Sequence, residues 1–133
     1  MDGISEILAT YNCVSLDEKI QFELDGVVEK EIKQAYCIEN LEFCVSCMDY
    51  TTLKVSDTEE SVKNFTADLL KKLKKFNLRD VAAVCVFSNY AGIVREGLKG
   101  TEIQTAVVAG NFPNSQTFTE IKLAECKMAI GAG

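Results

Sequence analysis

Seven consecutive apolar residues stand near the middle of the chain, Val81-Ala82-Ala83-Val84-Cys85-Val86-Phe87. A charge-free run of this length is typical of a β-strand that is buried on both faces of a parallel sheet. Such strands occur in α/β proteins, where helices connect consecutive strands and cover the sheet. The chain has 133 residues, of which 47% are apolar and 26% are charged. This composition predicts a folded globular protein of about one domain.

The flanking sequence repeats a strand–helix pattern. Upstream, residues 41–50 predict a first strand, and the helix after it carries apolar residues on one face at Val62, Phe65, Leu69, Leu73 and Phe76. Downstream, a helix over residues 89–98 leads to a third strand over residues 102–109. The last helix ends at Gly131 and presents on its inner face Ile121, Ala124 and Met128. Three strand–helix units in succession predict a parallel sheet with right-handed crossovers.

Helix starts are predicted by three capping boxes, over residues 15–18, 56–59 and 117–120. In this pattern a serine or threonine and a glutamate three residues later each satisfy an amide of the first turn. The first box opens a helix in which Gly26 is a weak point. A second helix, from about Val27 to Glu39, presents on one side Ile32, Ala35 and Tyr36.

Two architectures fit a parallel sheet of this kind, a doubly wound open sheet and a (β/α)8 barrel. The loop after the first strand has no glycine, and neither glycine-rich phosphate-binding motif occurs in the sequence. The barrel is therefore favoured, although it needs eight strands and about 250 residues. We expect an α/β fold made of the first three βα units of a (β/α)8 TIM barrel. Residues 1–43 would form an N-terminal helical extension, and residues 44–133 would form the N-terminal part of the incomplete barrel.

The charge is unevenly distributed. Residues 1–40 hold nine acidic and three basic side chains, whereas residues 41–133 hold eleven of each. A nucleic-acid-binding protein needs a basic surface, and the only basic cluster lies at a predicted helix end, at Lys71, Lys72, Lys74 and Lys75. No apolar run approaches the about 18–20 residues of a membrane span, and residues 1–6 are acidic where a signal peptide is basic. We expect a cytoplasmic protein that binds neither nucleic acid nor membrane.

The sequence has six cysteines and no histidine. Without histidine, Ser-His-Asp and Cys-His catalysis are excluded, while lysine and carboxylate chemistry remain. Cys44 and Cys47 have the C-x-x-C spacing of zinc and redox sites, but zinc would need two further ligands. The pair also falls in a predicted strand, where positions i and i+3 face opposite sides. We interpret the cysteines as core thiols, and a thiol-redox or metal protein is the alternative.

Three segments, in order, resemble deoxyribose-phosphate aldolase: Met48-Asp49-Tyr50-Thr51-Thr52-Leu53, Ala82-Ala83-Val84-Cys85-Val86-Phe87 and Asn111-Phe112-Pro113-Asn114-Ser115. They lie on the first strand, on the second strand and after the third. Residues 122–132 resemble the third helix of the same family. The resemblance covers residues 44–133, and residues 1–43 look like a variable extension.

The resemblance implies a class I aldolase that reversibly cleaves 2-deoxy-D-ribose 5-phosphate to glyceraldehyde 3-phosphate and acetaldehyde. The reaction runs through a lysine Schiff base, without a metal or an organic cofactor. Asp49 would be an active-site carboxylate that assists proton transfer. Thr51 and Leu53 would line the substrate pocket, and Cys85 would point into the barrel near the substrate. From the residue pattern alone, Asp49 could instead cap the next helix and Cys85 could be a packing residue.

The resemblance also implies that essential residues follow residue 133. In the family the Schiff-base lysine lies on the sixth strand, its assisting lysine on the seventh, and a second carboxylate on the strand after the third helix. We therefore expect the isolated chain to have no aldolase turnover. The sugar-phosphate substrate would belong to the complete enzyme, and the chain would form a homo-oligomer or associate with the missing barrel half. The alternative is a non-catalytic half-barrel that oligomerises and binds a protein partner.

Overall fold

The apolar run forms the middle strand of a three-stranded sheet. In the computed structural model, which describes residues 2–10 and 13–133, the strands are β1 (Asp49–Thr51), β2 (Ala83–Phe87) and β3 (Gln104–Val108). They lie in the order β1-β2-β3 and all run parallel. The register aligns Thr51 with Cys85 and Cys85 with Ala106. The predicted α/β class, with three βα units and a parallel sheet, is confirmed.

Each strand is followed by a helix, as predicted. The helices are α5 (Glu59–Phe76), a 3-10 turn (Ser88–Tyr90) that leads into α6 (Ala91–Gly97), and α7 (Thr119–Ala132). The capping box of α5 differs from the predicted one. Its N-cap is Thr58, whose hydroxyl accepts a hydrogen bond from the Ser61 amide, while the Ser61 hydroxyl accepts one from the Thr58 amide. The prediction was wrong because a serine at the third helical position can take the part usually played by glutamate.

The helix α7 departs further from its prediction. Its N-cap is Phe118, which makes no side-chain cap hydrogen bond, so the predicted box over residues 117–120 is not formed. Of the predicted inner face, Ile121 is 57% exposed and Met128 is 75% exposed, and the buried residue of this helix is Ala129. In the described residues β3 is an edge strand, so no further strand lies beyond it for this face of α7 to pack on.

The hydrophobic core lies between the sheet and the helices α5 and α6. Alternate residues of a strand point to opposite faces, and Val84 and Val86 of β2 point to this side. Tyr50 of β1 packs against the core and stacks on Phe65 with 4.3 Å between ring centroids. The buried members of this core are Val62, Leu69, Leu73, Val81, Val84, Val86, Val94, Leu98 and Ile103.

The N-terminal residues are helical, with α1 (Asp2–Thr10), α2 (Cys13–Val27), a π-helical segment (Val28–Ile32), α3 (Lys33–Ala35) and α4 (Ile38–Ser46). The two predicted helices therefore form one continuous helical stretch from Cys13 to Ala35. This stretch begins before the start predicted from the first capping box. The Ser15 side chain of that box lies outside the described residues. The chain divides into two units, Met1–Leu41 and Glu42–Gly133. No helix in the described ranges is both long enough and apolar enough to cross a membrane.

The first strand is shorter than predicted, and this is a correction. Residues 41–46 belong to the helix α4, and only Asp49–Thr51 pair with β2. Apolar residues of this stretch recur at Ile38, Leu41 and Val45, a helical spacing that a strand prediction overlooks. Val45 is half-buried and packs against the core, which helps to explain why the helix is favoured here.

Candidate active site

Three of the four predicted site residues lie together on the face of the sheet opposite the core. Because Tyr50, Val84 and Val86 point into the core, the alternate residues of β1 and β2 point to the other face. Asp49 and Thr51 occupy the two ends of β1, and Thr51 lies beside Cys85 in the register. Asp49 and Thr51 are exposed and Cys85 is half-buried. This face therefore offers a carboxylate, a hydroxyl and a thiol within one small area.

The electrostatics of Cys85 reflect these neighbours. Burial raises the pKa of the Cys85 thiol above its ordinary value, because a thiolate loses solvation there. A hydrogen bond with the Thr51 side chain lowers this pKa, and the negative charge of Asp49 raises it. The net effect keeps Cys85 a neutral thiol at neutral pH, which makes it a poor nucleophile. On this face Cys85 therefore presents a thiol beside the Thr51 hydroxyl and the Asp49 carboxylate.

Leu53, the fourth predicted residue, lies beyond β1 in the loop that leads to α5 and is half-buried. Asp57 fixes this loop, since its carboxylate accepts hydrogen bonds from the Thr52 hydroxyl at 2.9 Å and from the Lys54 amide at 2.9 Å. The sequence placed Asp57 inside a predicted capping box, where a serine and a glutamate held the capping roles. The aspartate instead organises the turn before the helix, a common role for this residue type in loops.

The sequence analysis did not single out Glu125, a carboxylate of α7 that lies at the ends of β2 and β3. Glu125 of α7 accepts a hydrogen bond from the Ser88 hydroxyl at 2.8 Å, and its other oxygen accepts one from the Gly110 amide at 2.8 Å. These hydrogen bonds, together with one from the Asn111 amide, lower the pKa of Glu125 below its ordinary value. In the sequence Glu125 is one of several charged residues on a helix, and nothing in its spacing distinguishes it. Its partners are 37 and 15 residues away, so the contacts depend on the fold.

The lysines are all solvated to some degree. Lys122 is half-buried and every other lysine of the chain is exposed, including Lys54 and the cluster over residues 71–75. Within this cluster, Lys72 contacts the Tyr50 hydroxyl at 3.2 Å and Lys71 pairs with Asp68 at 3.3 Å. An amine that forms a Schiff base needs a desolvated or cation-flanked environment that lowers its pKa. The described residues offer no buried lysine of this kind.

The cysteines differ from the predicted core thiols. Cys44 and Cys47 are exposed, at the end of α4 and just after it, while Cys37, Cys85 and Cys126 are half-buried. The core interpretation was wrong for the first pair because their segment is a helix that directs only part of its surface to the core. The side chain of Cys13 lies outside the described residues. Within those residues, no group of three or more acidic or cysteine side chains is arranged to hold a metal ion.

The chain matches no family model. It is similar to curated deoxyribose-phosphate aldolases of bacteria and animals. The protein of Clostridium novyi is 41% identical over 86 residues, which are 65% of this chain and 35% of that protein. The protein of Bos taurus is 32% identical over 127 residues, which cover 85% of this chain and 38% of that protein. The chain thus spans little more than a third of the length of the curated relatives that it matches.

The fold is similar as well. A crystal structure from Coccidioides immitis, of a protein proposed to be a deoxyribose-phosphate aldolase, matches with a TM-score of 0.57 and 25% identity. The match covers 69% of this chain and 33% of that one. The predicted resemblance to deoxyribose-phosphate aldolase is thereby confirmed for both sequence and fold. The predicted fold, the first three βα units of a (β/α)8 barrel, is confirmed with it.

Proposed function

We propose that this chain forms the first three βα units of a deoxyribose-phosphate aldolase. The complete enzyme would reversibly cleave 2-deoxy-D-ribose 5-phosphate to glyceraldehyde 3-phosphate and acetaldehyde through a lysine Schiff base. The observation that carries the proposal is the grouping of Asp49, Thr51 and Cys85 on the face of the sheet that a closed barrel would turn inward. These residues lie in two of the three segments that resemble the family.

Asp49 is the residue to which we assign proton transfer. Cleavage of the carbon–carbon bond requires removal of a proton from the substrate hydroxyl and later return of a proton to carbon. A solvated carboxylate within hydrogen-bond reach can take part in such steps, directly or through a water molecule. Asp49 is exposed at the start of β1 and points to the proposed inner face. Thr51, Leu53 and Cys85 would line the substrate pocket beside it.

The isolated chain should not turn over substrate. Three strands leave a barrel open, since eight are needed to close it. The lysines described above are too well solvated to form the Schiff base. Activity would require the remaining strands, gained by continuation of the polypeptide or by association with another chain, and the complete enzyme could then form homo-oligomers. The proposed location is the cytoplasm, since a charged sugar phosphate does not cross a membrane unaided.

A chimera tests the proposal directly. The 86 residues that match the Clostridium novyi relative are exchanged into that enzyme, and acetaldehyde release from 2-deoxy-D-ribose 5-phosphate is measured. We expect the chimera to be active and the isolated chain to be inactive. In the chimera, Asp49→Asn should lower kcat by about 100-fold or more, the size of a general acid–base contribution. The matched control is Asp68→Asn, because Asp68 is an exposed residue of α5 that pairs with the exposed Lys71.

Two outcomes would contradict the proposal. A chimera that folds and has no activity would refute the function, and equal activity of the two aspartate variants would refute the role of Asp49. Inactivity of the isolated chain is checked separately by borohydride reduction in the presence of acetaldehyde. A stoichiometric covalent adduct on the isolated chain would show that it carries its own Schiff-base lysine.

A non-catalytic half-barrel that binds a protein partner remains the second candidate. Its support is the exposure of large apolar side chains on the N-terminal helices, such as Phe22 and Tyr36. Native mass spectrometry of the isolated chain distinguishes it from the first. A stable symmetric oligomer, combined with an inactive chimera, would favour the partner-binding function.

A further inference from the structure

The three loops that follow β1, β2 and β3 lie at the same end of the sheet, because parallel strands have their carboxyl ends together. In barrel enzymes the active site lies at this carboxyl end of the strands. The 3-10 turn Ser88–Tyr90 donates one hydrogen bond to the loop after β1 and one to the helix α7. The Tyr90 hydroxyl donates to the Asp57 carbonyl at 2.7 Å, and the Ser88 hydroxyl donates to the Glu125 carboxylate at 2.8 Å.

Glu125 extends this connection to the loop after β3. Its second carboxylate oxygen accepts hydrogen bonds from the Gly110 amide at 2.8 Å and from the Asn111 amide at 3.3 Å. We name the set of Ser88, Glu125, Gly110 and Asn111 the Glu125 clasp. Through it, one side chain of α7 connects the end of β2 with the loop that follows β3.

The loop held by the clasp has an unusual backbone. Gly110 and Asn111 are consecutive residues with positive φ, at 70° and 60°. Left-handed backbone of this kind is unfavourable for most residues, although glycine and asparagine tolerate it. Within the loop, the Ser115 amide donates to the Asn111 carbonyl at 2.8 Å and the Ser115 hydroxyl donates to the Gly110 carbonyl at 3.1 Å. The turn is thus closed internally, and the clasp attaches it to the rest of the sheet.

The partners of Glu125 favour an ionised carboxylate. All three partners of Glu125 are donors, two amide N–H groups and one hydroxyl, and an ionised carboxylate only accepts. Glutamine has the same length but no charge, and the Ser88 hydroxyl would have to turn and accept from its NH2 group for the glutamine oxygen to keep both amides. Hydrogen bonds to a charged acceptor are also about twice as strong as neutral ones. Glu125→Gln is therefore a sharp probe that replaces one oxygen by an NH2 group, removes the charge and keeps the size of the side chain.

We propose that Glu125 is a positioning residue that holds the loop of residues 110–115 against the strand ends at the mouth of the proposed active site. This assignment rests on the proposed function, which supplies the active site that the loop would border. The hydrogen bonds themselves exist without substrate, so they can be tested on the whole 133-residue chain. Failure of the aldolase chimera would leave this test unaffected.

The experiment compares amide hydrogen exchange and amide proton shifts by NMR in the wild-type chain, in Glu125→Gln and in Ser88→Ala. In Glu125→Gln we expect the exchange rates of Gly110 and Asn111 to rise by about tenfold or more, as loss of a charge-assisted hydrogen bond predicts. Their proton shifts should move upfield, a signature that a general loss of helix stability does not produce at these two residues alone. Ser88→Ala removes one partner and should give a smaller rise at the same residues. Glu120→Gln, an exposed glutamate of the same helix, should change neither rate by more than about twofold.

Unchanged exchange at Gly110 and Asn111 in Glu125→Gln would overturn the proposal. If that variant loses protection throughout the chain, Ser88→Ala decides: a local rise at the two loop amides supports the clasp, and no rise overturns it. Equal effects of Glu125→Gln and Glu120→Gln would also overturn it, since the effect would then belong to the helix and not to the clasp.

Discussion

The helices α2 and α5 have similar lengths, 15 and 18 residues, and both carry apolar residues at helical spacing, yet their surroundings differ. Leu24 of α2 is 51% exposed, whereas Leu69 of α5 is 3% exposed. Every residue of α2 from Asp17 to Val27 is exposed, while α5 buries four residues against the sheet and α6.

An apolar pattern alone establishes less than burial does. Periodicity of apolar residues predicts a helix and the face it would bury. Burial itself requires a second element with a complementary apolar face, and β2 supplies one to α5 through Val84 and Val86. Along α2, by contrast, the residues from Asp17 to Val27 are exposed. An apolar side chain that stays exposed gains little free energy from folding.

The largest expected effect comes from one substitution made in both helices. Leu69→Ala should lower the free energy of unfolding by about 2–5 kcal/mol, because it removes buried methyl groups and leaves a cavity. Leu24→Ala should cost about 0.5 kcal/mol or less, as substitutions at exposed positions usually do. Urea unfolding followed by circular dichroism at 222 nm measures both, with an unchanged m-value as the check on two-state behaviour.

Equal losses of stability in the two variants would contradict this difference between α2 and α5. They would mean that α2 buries its apolar face in solution. If that burial occurs between copies of the chain, the cost of Leu24→Ala should grow with protein concentration, since association stabilises by mass action. A concentration series therefore separates burial within the chain from burial in an oligomer.

The sequence predicted the βα unit better than the N-terminal unit for a related reason. The run Val81–Phe87 is short and rich in valine, which favours a buried strand. The apolar spacing of α5 predicts its buried face, although the capping boxes of α5 and α7 were predicted wrongly. The segment 41–46 was assigned to a strand although it is helical. Its apolar residues suit either structure locally, and its tertiary environment, in which Val45 reaches the core, favours the helix.

For the site, the sequence indicates which residues share a face where their relation is local, and it does not reveal contacts that depend on loops. The sequence named Asp49 and Thr51, which lie two residues apart in one strand and therefore share a face. Parallel register then brings Cys85 beside Thr51. The catalytic roles given to these residues stay predictions. Glu125 could not be found in this way, because its contacts require the backbone of residues 110–111 to adopt positive φ.

An intermediate effect is expected from acid, and it should arise in the βα unit. The pKa of Glu125 lies below its ordinary value of 4.5, because the Ser88 hydroxyl and the amides of Asn111 and Gly110 donate to the carboxylate. A lowered folded-state pKa means that the carboxylate stabilises the fold fully above its ordinary pKa. This contribution is lost as the pH falls through the lower folded-state value. At pH 7 Glu125→Gln should cost about 1 kcal/mol, a modest value because the group is partly solvated.

The measurement is urea unfolding of wild type and Glu125→Gln at pH 7 and at several acidic pH values. The difference between the two proteins should be largest at pH 7 and should shrink toward zero in acid, where the wild-type carboxyl is protonated. Glu120→Gln serves as the control and should give a nearly constant small difference. A difference for Glu125→Gln that stays constant with pH would show that the ionised carboxylate is not what stabilises the loop.

The smallest effect on stability is expected from deletion of residues 1–41. The buried core consists of residues from Val62 to Ile103, and the half-buried residues packed against it begin at Val45. Removing the N-terminal unit should therefore change the free energy of unfolding of the βα unit by no more than about 0.5 kcal/mol. A loss of several kcal/mol would instead identify the N-terminal helices as part of the folded core.

Solubility should respond differently from stability. Residues 42–133 contain eleven acidic and eleven basic side chains, so the shortened chain carries no net charge, whereas the whole chain carries −6. Proteins near zero net charge associate and precipitate more readily, and the shortened chain would also keep its exposed apolar residues, such as Ile121 and Met128. We expect a stable but poorly soluble βα unit, measured as an unchanged urea midpoint together with a lower saturation concentration. If solubility is retained, the charge of the acidic helices is not what keeps the chain in solution.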